Sequence, residues 1–211
     1  VQSVKWLTPF CAAIQLEVGQ RYMLEQLEAA HRGEGDVCGF SADIVKAFNI
    51  LPRVPALAAV KLLGVDQGTL VGWAGALSGF VRHFVVRGNF SPGVTSVNGF
   101  PEGCALSCLA MLALTQLFHR WLQATNVMFT PISYVDNWGV ILRNVQSMRQ
   151  ACDAVDAFAE ALQLDLDKKK SYCWASDRDS RQFLRGEGFA VRLHTKELGA
   201  HVVSSCQLSN F

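Results

Sequence analysis

Charge is scarce in this chain. Only 18% of its 211 residues are Asp, Glu, Lys or Arg, against 50% hydrophobic. Disordered chains combine low hydrophobicity with high net charge, so wholesale disorder is excluded and a sizeable core is expected. The net charge of +1 excludes a uniformly basic coat, though not a local basic face. No run of about 18 consecutive apolar residues occurs. The long charge-free stretch 103–118 carries Ser, Thr and Gln, and it reads as a buried helix with no membrane as partner. No CxxC pair occurs among Cys11, Cys38, Cys104, Cys108, Cys152, Cys173 and Cys206. The odd count and loose spacing argue against a disulfide framework or zinc ribbon, and for reduced intracellular thiols used as small hydrophobes. The opening residues Val1 to Trp6 lack an initiator Met, a basic n-region and a cleavage site. They predict no signal peptide, and a chain that begins partway into something longer.

What is present is a mixture of helical and strand patterns. Val4, Leu7, Phe10, Cys11 and Ile14 have helical spacing, broken near Gly19, and a second helix is expected over Tyr22–His31 before a Gly-rich loop. A short apolar run, 37–44, suits a buried strand. Pro52 and Pro55 open a helix ending near Gly64, and Asp66 caps another over 67–81. Residues 83–87 and 94–98 read as hairpin partners, and 103–124 as a long apolar helix. Residues 128–134 and 138–143 are strand-like and flank Asp136-Asn137, a turn dipeptide. An amphipathic helix over 147–162, a short strand at 171–174 and strand-like pieces at 189–193 and 198–203 complete the chain. The expected class is α+β, with helices packed on one face of an antiparallel sheet.

Two acids stand out. Asp43 ends an apolar strand and Asp136 sits between two apolar strands. A carboxylate in such a setting is costly unless paired or bound to a cation. Each alone has a plain alternative, a strand-end cap for Asp43 and a turn former for Asp136. The order of segments is more specific: Asp43-Ile44-Val45-Lys46-Ala47-Phe48-Asn49, then Gly99-Phe100-Pro101-Glu102-Gly103-Cys104-Ala105-Leu106-Ser107, then Tyr134-Val135-Asp136-Asn137. Leu164-Asp165-Leu166-Asp167-Lys168-Lys169-Lys170-Ser171 and Lys196-Glu197-Leu198-Gly199 follow. This series resembles motifs A to E of the reverse transcriptase palm, in order. Its wording is similar to non-LTR retroelement and group II intron enzymes, and to dinoflagellate retroelement sequences.

The resemblance implies a ferredoxin-like polymerase palm over 37–211, with 1–36 as the helical end of the fingers. It implies RNA-directed DNA polymerisation, a primed RNA or DNA template, deoxynucleoside triphosphates, and two Mg²⁺ (or Mn²⁺) ions. Missing fingers and thumb segments of a parent protein, and a nuclear rather than cytoplasmic setting, are implied with it. Asp43 and Asp136 would be metal ligands with Asn137 as an auxiliary. Lys170 would serve the leaving pyrophosphate, and Phe48 would exclude a ribose 2′-hydroxyl by bulk. Gly99, Pro101, Glu102, Gly103, Ser107 and Tyr134 would line the substrate site, with Ser107 facing the nucleic acid. Chemically, hard divalent ions prefer carboxylate oxygens and hold reacting phosphate oxygens in line.

Three departures bear on activity. Asn137 stands where the family has a second Asp, which removes a charge from the second ion's site. Glu102 replaces a Gln and places a carboxylate toward phosphates. Cys108 replaces a Pro. An alternative is therefore a catalytically inactive palm kept as a nucleic-acid or protein scaffold. A cyclase-type palm shares the two-metal chemistry, but the Gly99–Ser107 segment and the long helix argue against it.

Overall fold

The computed structural model describes residues 16–197 and 200–203. In chain order its elements are α1 (Leu16–His31), β1 (Cys38–Asp43), α2 (Ala47–Ile50), α3 (Arg53–Leu62), α4 (Gln67–Ser78), β2 (Val81–Arg82), β3 (Val85–Val86), β4 (Asn89–Phe90) and β5 (Val94–Thr95). There follow α5 (Ala105–Thr125), β6 (Thr130–Tyr134), β7 (Asn137–Leu142), α6 (Met148–Ala161), β8 (Tyr172–Ala175), α7 (Arg178–Gly186), β9 (His194–Glu197) and β10 (Ala200–Val203). The chain divides into two compact units, residues 46–114 and the remainder.

The larger unit is built on a four-stranded antiparallel sheet of order β6-β7-β1-β8. With α5 before the β6–β7 hairpin and α6 after it, this is the β-α-β-β-α-β ferredoxin-like arrangement. Alternation along β7 sends Trp138, Val140 and Leu142 to one face and Gly139 and Ile141 to the other. On the first face, Phe118 of α5 stacks on Trp138 with centroids 4.5 Å apart, and Phe158 of α6 meets Trp138 edge-on at 5.5 Å. On the second, Met23 and Leu27 of α1 join Val37, Ile132, Ile141, Tyr172 and Trp174 in a buried cluster. The helix pair on one face is the expected palm layer, and α1 closes the other. Gly39 lies opposite Trp174, and a Cβ there would overlap the indole, so the missing side chain is what admits the ring.

The smaller unit packs α3 and α4 around Ala56, Ala59, Val60, Leu70, Trp73 and Leu77, with Phe100 against Trp73 at 5.6 Å. Asp66 caps α4 as expected, its Oδ1 accepting from Thr69 N at 2.9 Å. Arg53 is buried at the start of α3 and donates to the carbonyls of Gly99 and Leu77, both at 2.8 Å. Helix α5 spans the boundary between the units. It is long and apolar enough to cross a membrane, but Ala110, Met111, Leu114, Phe118 and Leu122 are buried within the protein, so it serves as a core helix.

Several expectations shift. Helix α1 runs through Gly19 without a break, because one interior glycine costs only about 1 kcal/mol and the flanking Leu16, Glu17, Gln20 and Arg21 are good helix formers. Helix α4 stops at Ser78, short of Val81, which enters a strand. The ribbon from 81 pairs differently from expectation: β2 pairs with β5, and β3 with β4. Helix α7 is highly charged and had no apolar signature. Its signal was the capping residue Asp177, which accepts from Ser180 N at 2.6 Å. Residues 189–193 form only a single bridge, Cys173 to Val191. The periodicity from Val4 to Ile14 lies outside the described residues.

Candidate active site

The β6–β7 turn differs from expectation in one respect that matters. Tyr134 pairs with Asn137, so the two loop residues are Val135 and Asp136, and Asn137 is the first residue of β7. Val135 carries φ 54°, a left-handed conformation that suits glycine. A β-branched residue there stores about 1–3 kcal/mol. The surroundings hold it: the Trp138 indole donates to Thr115 Oγ1 at 3.2 Å, and Thr115 in turn donates to the Val135 carbonyl at 3.4 Å.

The turn is docked on β1. Asp43 pairs with Asn137 across the β1–β7 ladder, and Ile44 N donates to the Asp136 carbonyl at 3.1 Å. Asp43 and Asp136 thus come from neighbouring strand ends although 92 residues separate them in sequence. Ser41, two residues before Asp43 and on the same face, donates its hydroxyl to Asn137 Oδ1 at 3.2 Å. Burial raises the pKa of Asp136, and the Asp43 charge raises it further.

A third segment brings the positive charge. Val45 N donates to Asp165 O at 2.9 Å and Asp167 N to Asp43 O at 2.8 Å, so residues 165–167 run beside the end of β1. Asp167 Oδ1 then accepts from Lys169 N at 2.9 Å, an Asx turn that brings Lys170 back over the strand end. Lys170 Nζ lies 3.0 Å from Asp43 Oδ1. That hydrogen bond, with the Asp43 charge, raises the Lys170 pKa. The Lys170 side chain is 64% exposed and Asp43 23%, so the ammonium faces solvent while the carboxylate is largely covered.

The donor set fits Mg²⁺. Among the described residues no group of three His, Cys, Asp or Glu side chains could hold a metal. Mg²⁺ ordinarily takes one or two carboxylates and completes its shell with water and substrate phosphates. Asp43 and Asp136 sit close enough for the Asp43 charge to raise the Asp136 pKa, and a divalent ion between such carboxylates would relieve that repulsion. Asn137 adds a neutral carbonyl oxygen, already engaged by Ser41.

The remaining expected residues, Tyr134 excepted, belong to the smaller unit. Phe48 is half-buried in α2, and its carbonyl accepts from Phe100 N at 2.7 Å. Gly99 has φ 80°, and a Cβ there would overlap the Asn49 carbonyl, so only glycine fits. Gly103 also has φ 80°. Glu102 is exposed and accepts from Asn49 Nδ2 at 2.7 Å, while Asn49 Oδ1 accepts from Arg82 at 3.1 Å. The carboxylate expected to oppose phosphates is therefore linked through an amide to an arginine. Ser107 corrects the expectation that it faces nucleic acid. It is 1% exposed, and its hydroxyl donates to the Pro101 carbonyl at 2.8 Å, closing the loop from within. Tyr134, at the hairpin end, is 38% exposed. Sequence reading passed over Ser41, Thr115, Arg53, Asn49 and Arg82, whose partners lie 20 or more residues away.

Residues 4–189 match the family profile described as reverse transcriptase (RNA-dependent DNA polymerase). No curated protein sequence matches the chain significantly. Among solved structures, the apo telomerase of Candida tropicalis truncated of its C-terminal domain superimposes with a TM-score of 0.65 at 9% identity, over 90% of this chain and 38% of that one. The telomerase of Candida albicans in complex with a fragment of telomeric RNA gives 0.64 at 11% identity, over 90% of this chain and 34% of that one. At such identity the likeness is one of fold, and the chain spans little more than a third of those telomerases.

Proposed function

This chain belongs to the reverse transcriptase family, and we propose that it is the polymerising palm of an RNA-directed DNA polymerase, with residues 1–36 ending the fingers. The motif wording favours kinship with non-LTR retroelement and group II intron enzymes. The observation that carries the reading is the pairing of the Asp43 strand end with the Asp136 turn, under the ammonium of Lys170.

Asp43 and Asp136 offer the hard oxygens for Mg²⁺ or Mn²⁺, with the Asn137 carbonyl as an auxiliary. When bound, two such ions neutralise the triphosphate and align the attacking and leaving oxygens. In the reaction the primer 3′-hydroxyl gives up its proton to solvent, its oxygen bonds to the α-phosphorus of a deoxynucleoside triphosphate, and the bond from that phosphorus to the bridging oxygen breaks, releasing pyrophosphate. Lys170, cationic at Nζ, would sit against the departing pyrophosphate as a charge partner or proton donor once it leaves Asp43. Phe48 bars a 2′-hydroxyl by volume, and Gly103, with open space where a Cβ would stand, lets the template and the incoming base pair approach the backbone, while Gly99 holds the loop against Asn49.

Primer extension on RNA and DNA templates, with Mg²⁺ or Mn²⁺, tests this. Extension is expected from the parent and lost in Asp43→Asn and Asp136→Asn. Undiminished extension by Asp136→Asn would refute the assignment. A parent that binds primed template yet extends it with neither ion supports the scaffold reading, which Asn137 in place of a third carboxylate favours.

A further inference from the structure

Helix α5 is a core helix, yet it carries polar side chains where the core is most covered. Thr115 is 2% exposed and His119 is fully buried, on a helix that also buries Met111, Leu114, Phe118 and Leu122. A hydroxyl or an imidazole in such a place is costly unless paired, and a paired buried network selects one arrangement over its neighbours. Both side chains find their partners on the hairpin that carries Asp136. His119 Nε2 lies 2.9 Å from the hydroxyl of Ser133, on β6. The Thr115 hydroxyl accepts from the Trp138 indole at 3.2 Å and donates to the Val135 carbonyl at 3.4 Å. One hydroxyl thus holds the hairpin on both sides of Asp136. The spacing is matched as well. From Thr115 to His119 the helix rises about 6 Å, and from Ser133 to Val135 an extended strand covers about 6.6 Å. A slip of β6 by one residue would turn Ser133 away from the helix and break the His119 contact. The Thr115 contact also holds Val135 at φ 54°, which a β-branched residue does not take up by itself.

We propose that Thr115 and His119 act together as positioning residues. They fix the register of the β6–β7 hairpin against α5, and through it the placement of Asp136 beside Asp43. Both act from inside the core, through the backbone of the turn, whose Asp136 carbonyl accepts from Ile44 N at 3.1 Å. The register lock follows from the packing alone, and only its service to an ion site rests on the polymerase reading.

Native-state hydrogen exchange and Mn²⁺ calorimetry on the full chain test the lock. Thr115→Val keeps the side-chain shape and removes the hydroxyl, whereas Thr115→Ser keeps the hydroxyl. The Ile44 amide reports docking of the turn on β1. In Thr115→Val it is expected to lose protection about tenfold, the weight of one hydrogen bond. The amides of Gly39, Phe40 and Ser41, flanked by both β7 and β8, should keep theirs. Mn²⁺ should bind about tenfold more weakly, as when other ligand-orienting groups are removed. Thr115→Ser should stay at the parent level in both measurements. Ser133→Ala opens the His119 contact and should act in the same direction as Thr115→Val, so it decides the matter if Thr115→Val does not fold. Unchanged protection at Ile44 in Thr115→Val and Ser133→Ala would overturn the proposal. So would a loss spread evenly along β1, because the two residues would then serve stability alone. Selective loss at Ile44 in a chain whose parent binds no Mn²⁺ sinks the ion site and leaves the lock standing. Mn²⁺ binding that is equal in parent and variants, with even exchange, does the reverse.

Discussion

Asn137 is the position where one substitution changes the electrostatics of the strand-end pair most directly. Asn137→Asp keeps the side-chain shape and the acceptor for Ser41, and adds one negative charge beside Asp43 and Asp136. Directly paired residues in an antiparallel ladder have Cα atoms about 4.5–5.5 Å apart. Two unit charges about 5 Å apart interact by about 3 kcal/mol at an effective dielectric near 20. Solvent at the strand end and the Lys170 ammonium screen this, leaving about 1 kcal/mol of repulsion without metal. For a chain of this size that lowers Tm by about 2–4 °C. A divalent ion reverses the sign, since each added carboxylate attracts it with twice the force of a unit charge. Mn²⁺ or Mg²⁺ should therefore bind at least about tenfold more tightly to Asn137→Asp than to the parent, and restore or raise its Tm. Calorimetric titration and melting with and without the ion read both arms. Asp136→Asn should abolish the binding. Equal ion affinity in parent, Asn137→Asp and Asp136→Asn would show that the turn is only a turn, and the metal assignment would fall with it.

Lys170→Met removes the cation that competes for Asp43, and should tighten Mn²⁺ binding in the same titration; weaker binding would mean that Lys170 supports the ion site. Phe48→Ala should raise ribonucleotide incorporation far more than it lowers deoxynucleotide incorporation, whereas unchanged discrimination with a lowered Tm would make Phe48 a packing residue. Arg53→Met strips the charge-assisted hydrogen bonds from the Gly99 and Leu77 carbonyls and should cost about 1–3 kcal/mol in denaturant unfolding; a loss under about 0.5 kcal/mol would refute the clamp. His119 is fully buried against the Ser133 hydroxyl, and burial pushes its pKa down to about 3 from an ordinary 6.5. The unfolded chain takes that proton first, so its contribution is intact above about pH 6.5 and is lost as pH falls toward 3, by up to about 1.4 kcal/mol per pH unit. His119→Gln should flatten that limb of the stability profile.

The local elements were legible because their causes are local. Asp66 ahead of an apolar run, prolines opening α3, and the apolar stretch of α5 each act within a few residues. The order of Asp43, the 99–107 loop, Asp136 and Lys170 was likewise written along the chain and sufficed to indicate the family. What tertiary structure alone decided is the company those residues keep. Whether Ser107 faced ligand or core depended on the Pro101 carbonyl above it, and its hydroxyl turned inward. The turn register placed Asp136 in the loop and Asn137 in the strand, because Tyr134–Asn137 pairing outweighed the preference of Asp-Asn for turns and forced Val135 into a left-handed backbone. Lys170 reached Asp43 across 127 positions only because residues 165–167 hydrogen-bond along the end of β1. Sequence by itself determines which side chains are available and the secondary structure that short-range forces select. Which carboxylate meets which cation is set by strand pairing between distant segments, a contact energy that no window of neighbouring residues contains.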